Sequence, residues 1–134
     1  MKLKKEDKES LVKLRMLRAN ELLVEAKDIM ALGYWRTTVN RLYYACFHAV
    51  CALLLKNDYT AHTHSGVITQ LGLHFVTKGI ISMKQGKLYR DLFEKRQTGD
   101  YDVWTSIDEE DVKPLIEPAE NFIKEIENLI TQNT

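Results

Sequence analysis

Apolar residues recur every three or four positions along most of the chain, and this is the period of an α-helix. The spacing predicts a first helix over Lys5–Leu32, which Gly33 would end. Its predicted inward positions are Leu11, Leu14, Leu22, Ala26, Ile29 and Met30. An amphipathic helix of this length needs partner helices to cover its apolar face.

Three further helices follow from the same pattern. They are predicted over Tyr34–Lys56, Ser65–Thr77 and Gln85–Lys95. The segment RQTGDYDVWTS, residues 96–106, is too rich in turn formers to continue the fourth helix and predicts a turn. The predicted inward positions of the third and fourth helices are Val67, Ile68, Leu71, Phe75, Leu88, Leu92 and Phe93.

The segment SIDEE, residues 106–110, predicts the start of the last helix. Ser106 and Glu109 have capping-box spacing, and acidic residues crowd the first turn, where the helix dipole favours them. Pro114 and Pro118 would kink this helix or delay its start. Its apolar stripe comprises Val112, Leu115, Ile116, Ala119, Phe122, Ile123, Ile126 and Ile130. With no alternating pattern long enough for a sheet, the sequence predicts one all-α domain over 1–134, a bundle of four main helices with an additional short helix.

Composition agrees with a soluble globular protein. The chain has 134 residues, of which 45% are hydrophobic and 28% charged. Its first ten residues lack the apolar core of a signal peptide. The longest nearly uncharged run, LYYACFHAVCALLL, is shorter than the ~20 residues that cross a bilayer. We therefore expect a cytoplasmic protein without a membrane partner.

The net charge is zero, but the charges are unevenly distributed. Residues 34–99 hold 9 basic and 3 acidic side chains, whereas residues 100–134 hold 2 basic and 10 acidic ones. A positive middle segment suits a partner that contains phosphate. The alternative, equally open at this stage, is that the acidic tail packs beside the basic middle.

The cysteines and most histidines give weaker signals. Cys46 and Cys51 lie about 140° apart on a helix, so we expect free thiols and no disulfide. His62 and His64 form an H-x-H pair and His74 follows, but no further ligand pattern accompanies them. We expect no metal and no cofactor, and we interpret the pair as loop histidines or His64 as part of a helix cap.

A polar stripe on the second helix is the strongest chemical signal. Arg41, Tyr44 and His48 share one face because three, four and seven residues are each close to whole turns. The core stripe of the same helix is Leu42, Cys46, Ala49 and Leu53. Unpaired burial of such polar groups costs a few kcal/mol each, so they must meet a partner, water or a ligand. The alternative is a satisfied core histidine beside an arginine that extends to water.

Seven residues span about 10 Å along a helix, and helical side chains lean toward the N-terminus. Arg41 therefore leans away from His48, and the two would converge poorly on one phosphate. An antiparallel copy of the helix would bring a second pair alongside the first. The spacing thus suggests a two-fold homodimer through this helix.

The stretch NRLYYACFHAVCALLL, residues 40–55, resembles the signature helix of the HEPN domain family in its small stand-alone bacterial and archaeal branch. Further matches are HSGV at 64–67, GK at 86–87 and LFEKRQTGDYD at 92–102. The resemblance covers nearly the whole chain. It implies an antiparallel four-helix bundle with an extra helix, which forms dimers with a shared cleft.

Active members of this family are metal-independent endoribonucleases, many of them toxins or defence components. Carried over, His48 would perform acid–base chemistry on the ribose 2′-hydroxyl and the leaving group. Arg41 would stabilise charge on the phosphate, and Asn40 would orient Arg41 or the RNA backbone. From spacing alone, Tyr44 adds a hydrogen-bond donor or a stacking surface.

Other residues extend or limit this interpretation. Arg96 and Asp100 would line the cleft, or belong to a plain turn, and nearby basic residues would track an RNA backbone or form a solvated helix face. These basic residues are Lys84, Lys87, Arg90, Lys95 and Arg96. In the branch paired with a nucleotidyltransferase antitoxin, a tyrosine two residues after the histidine is modified, and here that position is Val50. The alternative function is a non-catalytic HEPN module that binds nucleotide, RNA or a nucleotidyltransferase partner.

Overall fold

The computed structural model of the protein describes residues 4–101 and 106–132, with the side chains of 98–101 excluded. The helices are α1 (Lys5–Ala31), α2 (Trp35–Lys56), α3 (His64–Leu71), α4 (Met83–Tyr101) and α5 (Glu109–Thr131). A π-helical turn, Gly72–Val76, continues α3. No strand occurs within the described ranges, and the prediction of an all-α helical bundle is confirmed.

The chain reverses between α1 and α2 at Gly33. Its φ of 79° lies in the left-handed region, which glycine adopts without a steric penalty. Its backbone N–H donates to the Met30 carbonyl oxygen at 2.9 Å and closes the last turn of α1. Since only residues 32–34 separate the two helices, α1 and α2 form an antiparallel hairpin and pack along their length.

The inward face of α1 differs from the predicted one in its N-terminal half. Leu11 and Leu14 were expected inside but are 40% and 59% exposed. The buried residues of α1 are Val12, Met16, Ala19, Leu22, Leu23 and Ala26. Ile29 and Met30 are half-buried. Both sets have helical spacing with a small offset, so periodicity alone did not determine which one faces α2.

Helix α2 lies at the centre of the bundle and contacts α1, α3, α4 and α5. All four predicted core positions are buried: Leu42, Cys46, Ala49 and Leu53. Within the described part of the chain, α2 alone is long and apolar enough to cross a membrane, but 61% of its apolar stretch is buried inside the protein. The core helix of a bundle has the same length and composition, so this feature is weak evidence for a membrane span.

The third helix begins one residue before the predicted start. The Thr63 hydroxyl caps it by accepting a hydrogen bond from the Gly66 backbone N–H at 2.9 Å. Further on, the Thr77 N–H donates to the Gly72 carbonyl oxygen at 2.9 Å, which is the i→i+5 bond of a π-helix. The predicted inward positions are buried or half-buried: Val67, Ile68, Leu71 and Phe75.

The fourth helix is longer than predicted at both ends. It begins at Met83 because the Ser82 hydroxyl accepts a hydrogen bond from the Gln85 N–H at 3.1 Å. It continues to Tyr101, so the predicted turn is wrong over residues 96–101, whereas residues 102–105 lie outside the described ranges. Its inward residues are Leu88, Tyr89, Leu92 and Phe93. Arg96 continues this inward face. Its contacts with α2 stabilise the C-terminal part of α4, which contains a glycine and would otherwise be a weaker helix.

The last helix begins at Glu109, and its cap is Asp108, not Ser106. The Asp108 carboxylate accepts from the Glu110 N–H at 3.1 Å, and the Asp108 N–H donates to the Asp111 carboxylate at 3.1 Å. Both prolines lie inside the helix, so neither delays its start. The predicted stripe is confirmed, with these residues buried: Val112, Ala119, Phe122, Ile123, Ile126 and Ile130.

Candidate functional site

The polar stripe of α2 lies at the boundary between core and solvent. Arg41, Tyr44 and His48 are all half-buried, while the opposite face of α2 is fully buried. The predicted division of this helix into a core face and a polar face is therefore confirmed. Its three polar residues meet different partners, and these partners determine what each can do.

His48 contacts an arginine that the sequence analysis did not identify. Arg15 of α1 places its Nη1 at 2.9 Å from His48 Nδ1. A guanidinium can only donate hydrogen bonds, so Nδ1 must be the acceptor and the neutral ring carries its proton on Nε2. Nε2 has no partner within the described residues and is not a buried unpaired atom, so it reaches solvent.

The surroundings of His48 favour its neutral form. Burial, followed by the positive charges of Arg15 and Arg18, lowers the pKa of His48 to about 4. Arg15 also lies over the Phe47 ring, 6.0 Å from the ring centre. At neutral pH the free protein therefore holds an uncharged imidazole.

Arg41 is oriented by its neighbour in sequence. Its Nη1 donates to the Asn40 side-chain oxygen at 2.9 Å. The Nε atom of Arg41 is buried and has no partner among the described residues. No hydrogen bond joins Arg41 to His48, in agreement with the predicted divergence of the two side chains. Asn40 and Arg41 thus form one unit, and His48 and Arg15 form another.

Tyr44 and Arg96 are brought together by packing of α4 on α2. Arg96 Nη1 donates to the Tyr44 hydroxyl at 3.2 Å. The guanidinium lies 5.2 Å from the Tyr43 ring centre and 5.4 Å from that of Tyr44, which is cation–π geometry. Asp100 belongs to α4 one turn beyond Arg96, but its side chain lies outside the described residues.

His64 also belongs to this region, contrary to its interpretation as a loop or capping residue. It is the first residue of α3, is half-buried, and has its Nδ1 2.6 Å from the buried Tyr43 hydroxyl. Burial raises the pKa of Tyr43 to about 12, so the phenol stays protonated and can donate to that nitrogen. Burial and the charge of Arg96 lower the pKa of His64.

Phe47 separates the two imidazoles. Its ring centre lies 4.6 Å from that of His64 and 5.7 Å from that of His48. Each histidine thus packs against the same aromatic ring, and each is held through Nδ1 by a side chain of the bundle. Phe47, near the middle of α2, therefore supports two positioned imidazoles, one from α2 and one from α3.

The remaining histidines do not join them. His74 stacks on Tyr59 with ring centres 3.7 Å apart, and His62 is exposed. No group of three His, Cys, Asp or Glu side chains suited to a metal ion occurs in the described ranges. Both cysteines are free, and burial raises the pKa of the Cys46 and Cys51 thiols.

The basic run of α4 divides into two parts. Lys84, Lys87 and Arg90 are exposed and line a groove of about 630 Å³ between α4 and the π-helical turn. Lys87 pairs with Asp91 at 3.0 Å. Arg96 faces the tyrosines of α2, so the run does not form one continuous strip.

Hairpin geometry would have placed an arginine of α1 near His48 without distinguishing Arg15 from Arg18. A turn at Gly33 places residues at similar distances before and after it side by side. Arg15 and Arg18 lie 18 and 15 residues before it, and His48 lies 15 residues after it. The Lys8–Asp58 ion pair at 3.2 Å has a similar register. No comparable signal was available for His64, because its contact with Tyr43 depends on how α3 packs.

The chain is similar to proteins of known family. The sequence model of the HEPN domain family matches residues 12–129. A UPF0332 protein of Thermotoga maritima is 40% identical over 92% of this chain and 94% of its own length. A Methanocaldococcus jannaschii protein whose name calls it a candidate toxin is 33% identical over 85% of this chain and 84% of its own length. The matched region reaches from α1 to α5.

Proposed function

The chain belongs to the HEPN domain family, and we propose that it is a metal-independent endoribonuclease that acts as a homodimer. The observation that carries the proposal is the half-buried face of α2, where Arg41 and His48 are both held by neighbouring side chains. The toxin names of two relatives support a role as a toxin or defence component. We place this activity in the cytoplasm.

The proposed reaction is attack of a ribose 2′-hydroxyl on the adjacent phosphorus. The O2′–P bond forms and the P–O5′ bond breaks, which leaves a 2′,3′-cyclic phosphate and a 5′-hydroxyl. His48 takes the proton of the 2′-hydroxyl and, as the imidazolium that this forms, gives the proton to O5′. Arg41, oriented by Asn40, stabilises the negative charge that develops on the phosphate.

Tyr44, Arg96 and Asp100 are the proposed substrate-binding residues beside this centre. Arg96 holds the Tyr44 hydroxyl, so the phenol ring has a fixed position from which to stack on a base or donate to the backbone. Asp100, one turn further along α4, would adjust the charge of the cleft. The exposed Lys84 and Arg90 would extend the contact with the RNA backbone.

A homodimer would complete the site. Within one protomer, Arg41 and His48 are separated by about 10 Å along α2 and have different partners. The unpaired Nε of Arg41 also leaves one donor for a group outside the described protomer. An antiparallel second copy of α2 would bring Arg41 of one protomer toward His48 of the other.

An antitoxin is a further proposed partner, and a nucleotidyltransferase is one candidate for it. The modification of a tyrosine hydroxyl two residues after the histidine is impossible here, because that position is Val50, which has no hydroxyl and is fully buried in the core. A nucleotidyltransferase partner would have to act at a different residue or by binding alone.

A second candidate function is a non-catalytic HEPN module that binds RNA, nucleotide or a protein partner. One observation favours it. In the free protomer, His48 is neutral and its Nδ1 lone pair is occupied by Arg15, so the ring is not ready to accept a proton. Such an arrangement also suits an imidazole that only donates a hydrogen bond from Nε2.

The deciding experiment is RNA cleavage by purified protein in excess EDTA. We expect the wild type to produce cyclic phosphate ends, and the His48→Ala and Arg41→Ala variants to lose at least about 100-fold in rate. The His62→Ala variant is the matched control, because His62 is exposed and makes no described contact with Arg41 or His48. An inert wild type that is folded and dimeric would support the binding module instead.

A further inference from the structure

We propose that Arg15 changes its hydrogen-bond partner when RNA binds. Its guanidinium moves from Nδ1 of His48 to a backbone phosphate, and His48 is then free to accept a proton. This inference rests on the proposed ribonuclease function, because it assigns a phosphate-binding and positioning role to a residue of the same site. It concerns an arginine of α1, outside the segment of α2 that holds Arg41 and His48.

Arg15 forms a hydrogen bond with the ring nitrogen through which His48 could act as a base. At 2.9 Å, the Arg15 guanidinium occupies the lone pair of His48 Nδ1, and the proton of the neutral ring is on Nε2. A ring in this state has no free lone pair with which to take the 2′-hydroxyl proton. A base therefore forms only after Arg15 has moved away.

The charged and titratable groups around His48 belong to α1, α2 and α3. Arg15 and Arg18 face it from α1, the protonated Cys51 thiol lies nearby on α2, and His64 of α3 lies beyond Phe47. No charged side chain of α4 or α5 is a cause of the shifted His48 pKa among the described residues. With a pKa of about 4, only roughly one ring in a thousand is protonated at pH 7. The imidazolium that protonates the leaving group must therefore form during the reaction, when His48 accepts the 2′-hydroxyl proton.

Arg15 has no carboxylate partner among the described residues. Its described contacts are the His48 nitrogen and the face of Phe47, whereas Arg18 is near the carboxylates of Glu21 and Glu25 at 3.9 and 3.4 Å. A phosphate is a much stronger acceptor for a guanidinium than a neutral imidazole, because the bond is charge-assisted and can be bidentate. An incoming phosphate should therefore displace His48 from Arg15.

Once Arg15 pairs with the phosphate, its charge is neutralised and the pKa of His48 rises. His48 then takes the 2′-hydroxyl proton as the O2′–P bond forms, and the imidazolium so formed gives this proton to O5′ as the P–O5′ bond breaks. No oxidant, reductant or additional proton is required.

The test is an NMR titration of the His48 ring nitrogens, with and without a single-stranded oligonucleotide in which every 2′-hydroxyl is replaced by hydrogen. This probe supplies backbone phosphates but lacks the nucleophile, so the readout does not depend on cleavage. In the free wild type we expect the Nε2–H form and a depressed pKa. Addition of the oligonucleotide should raise the pKa of His48 by about one unit or more, a tenfold change in the protonated-to-neutral ratio.

Variants separate this exchange from a general effect of charge. In Arg15→Met the pKa of His48 should already be raised in the free protein and should respond little to the oligonucleotide. Arg18→Met is the matched control, since it removes a nearby charge but leaves the bond to Nδ1, so the oligonucleotide response should be retained. Arg15→Lys keeps the charge and should respond in part.

Three results would overturn the inference. They are no binding of the oligonucleotide, binding without a change in the pKa of His48, and the same response in Arg15→Met as in the wild type. If RNA is cleaved in EDTA but the pKa does not respond, only the exchange of Arg15 is wrong. If the pKa responds but no RNA is cleaved, the exchange stands and the ribonuclease activity is wrong.

Discussion

At the scale of single residues, the site depends on side chains that fix the ring nitrogens of two histidines. Arg15 binds Nδ1 of His48, and the Tyr43 hydroxyl lies against Nδ1 of His64. In both rings Nε2 is the nitrogen without a described partner. The chemistry of each imidazole therefore depends on a neighbour as much as on the histidine itself.

Stability should depend on pH through His48. Its pKa is about 4 in the folded protein and ordinarily 6.5, so folding favours the neutral ring. This contribution is fully present above pH 6.5 and is lost as the pH falls toward 4. Because part of the ring faces solvent, we expect it to decrease by only ~1 kcal/mol between pH 7.5 and pH 5.

Urea unfolding of the wild type and His48→Gln at both pH values would measure this contribution. The variant should lose about 1 kcal/mol less than the wild type on acidification, since its amide does not titrate. Equal losses in the two proteins would show that the folded state does not disfavour the His48 imidazolium.

The hydroxyl of Tyr43 gives a second prediction at this scale. Tyr43→Phe removes the partner of His64 Nδ1 but keeps the buried ring, so the free energy of unfolding should fall by ~1 kcal/mol. Tyr34→Phe is the control, because Tyr34 is 61% exposed, and it should change stability by less than about 0.5 kcal/mol. If the two variants lose the same amount in urea unfolding, the Tyr43 hydroxyl is not stabilising the site.

At the scale of elements, caps determine where the helices begin. With Ser82 as its cap, α4 begins two residues before its predicted start. The cap of α5 is Asp108, two residues after the predicted cap. Caps act through one side chain and one or two backbone N–H groups, so neighbouring candidates are hard to distinguish from sequence. The bounds of α1 and α2 were predicted within one residue, because a glycine ends α1 and a polar loop ends α2.

The cap of α5 can be tested with two alanine variants. Asp108→Ala should lower the free energy of unfolding by ~1 kcal/mol, because it removes the acceptor of the Glu110 N–H. Ser106→Ala should have almost no effect, since Ser106 is exposed and precedes the cap. A larger loss for Ser106→Ala in thermal or urea unfolding would restore the sequence-based assignment.

At the scale of the whole molecule, the shared site of the proposed dimer makes a distinctive prediction. We expect a mixture of Arg41→Ala and His48→Ala protomers to recover cleavage, because each mixed dimer contains one site with both residues intact. Since half of the dimers are mixed and each has one active site of two, the activity should be ~25% of wild type.

The control for this mixture is each variant unfolded, refolded and assayed alone. Each should remain inactive under the conditions that allow protomers to exchange. If the mixture is also inactive while a tagged pull-down shows mixed dimers, Arg41 and His48 of the same protomer act together and the shared site is wrong.

The sequence by itself determined the helices, the core face of α2 and the residues of its polar stripe. These features follow from spacing within one element, and Arg41, Tyr44 and His48 needed no tertiary information to be placed on one face. The family resemblance was likewise carried by local segments, and the match over 12–129 confirms it.

Only the tertiary structure decided what those residues touch. The exposure of Leu14, the contact of Arg15 with His48 and the packing of His64 against Phe47 depend on how separate helices meet. The extension of α4 through 96–101 has the same origin, because Arg96 stacks on tyrosines of another helix. Periodicity specifies which residues share a face, but not which partner that face will find, because contacts between distant segments are set by packing of the whole bundle.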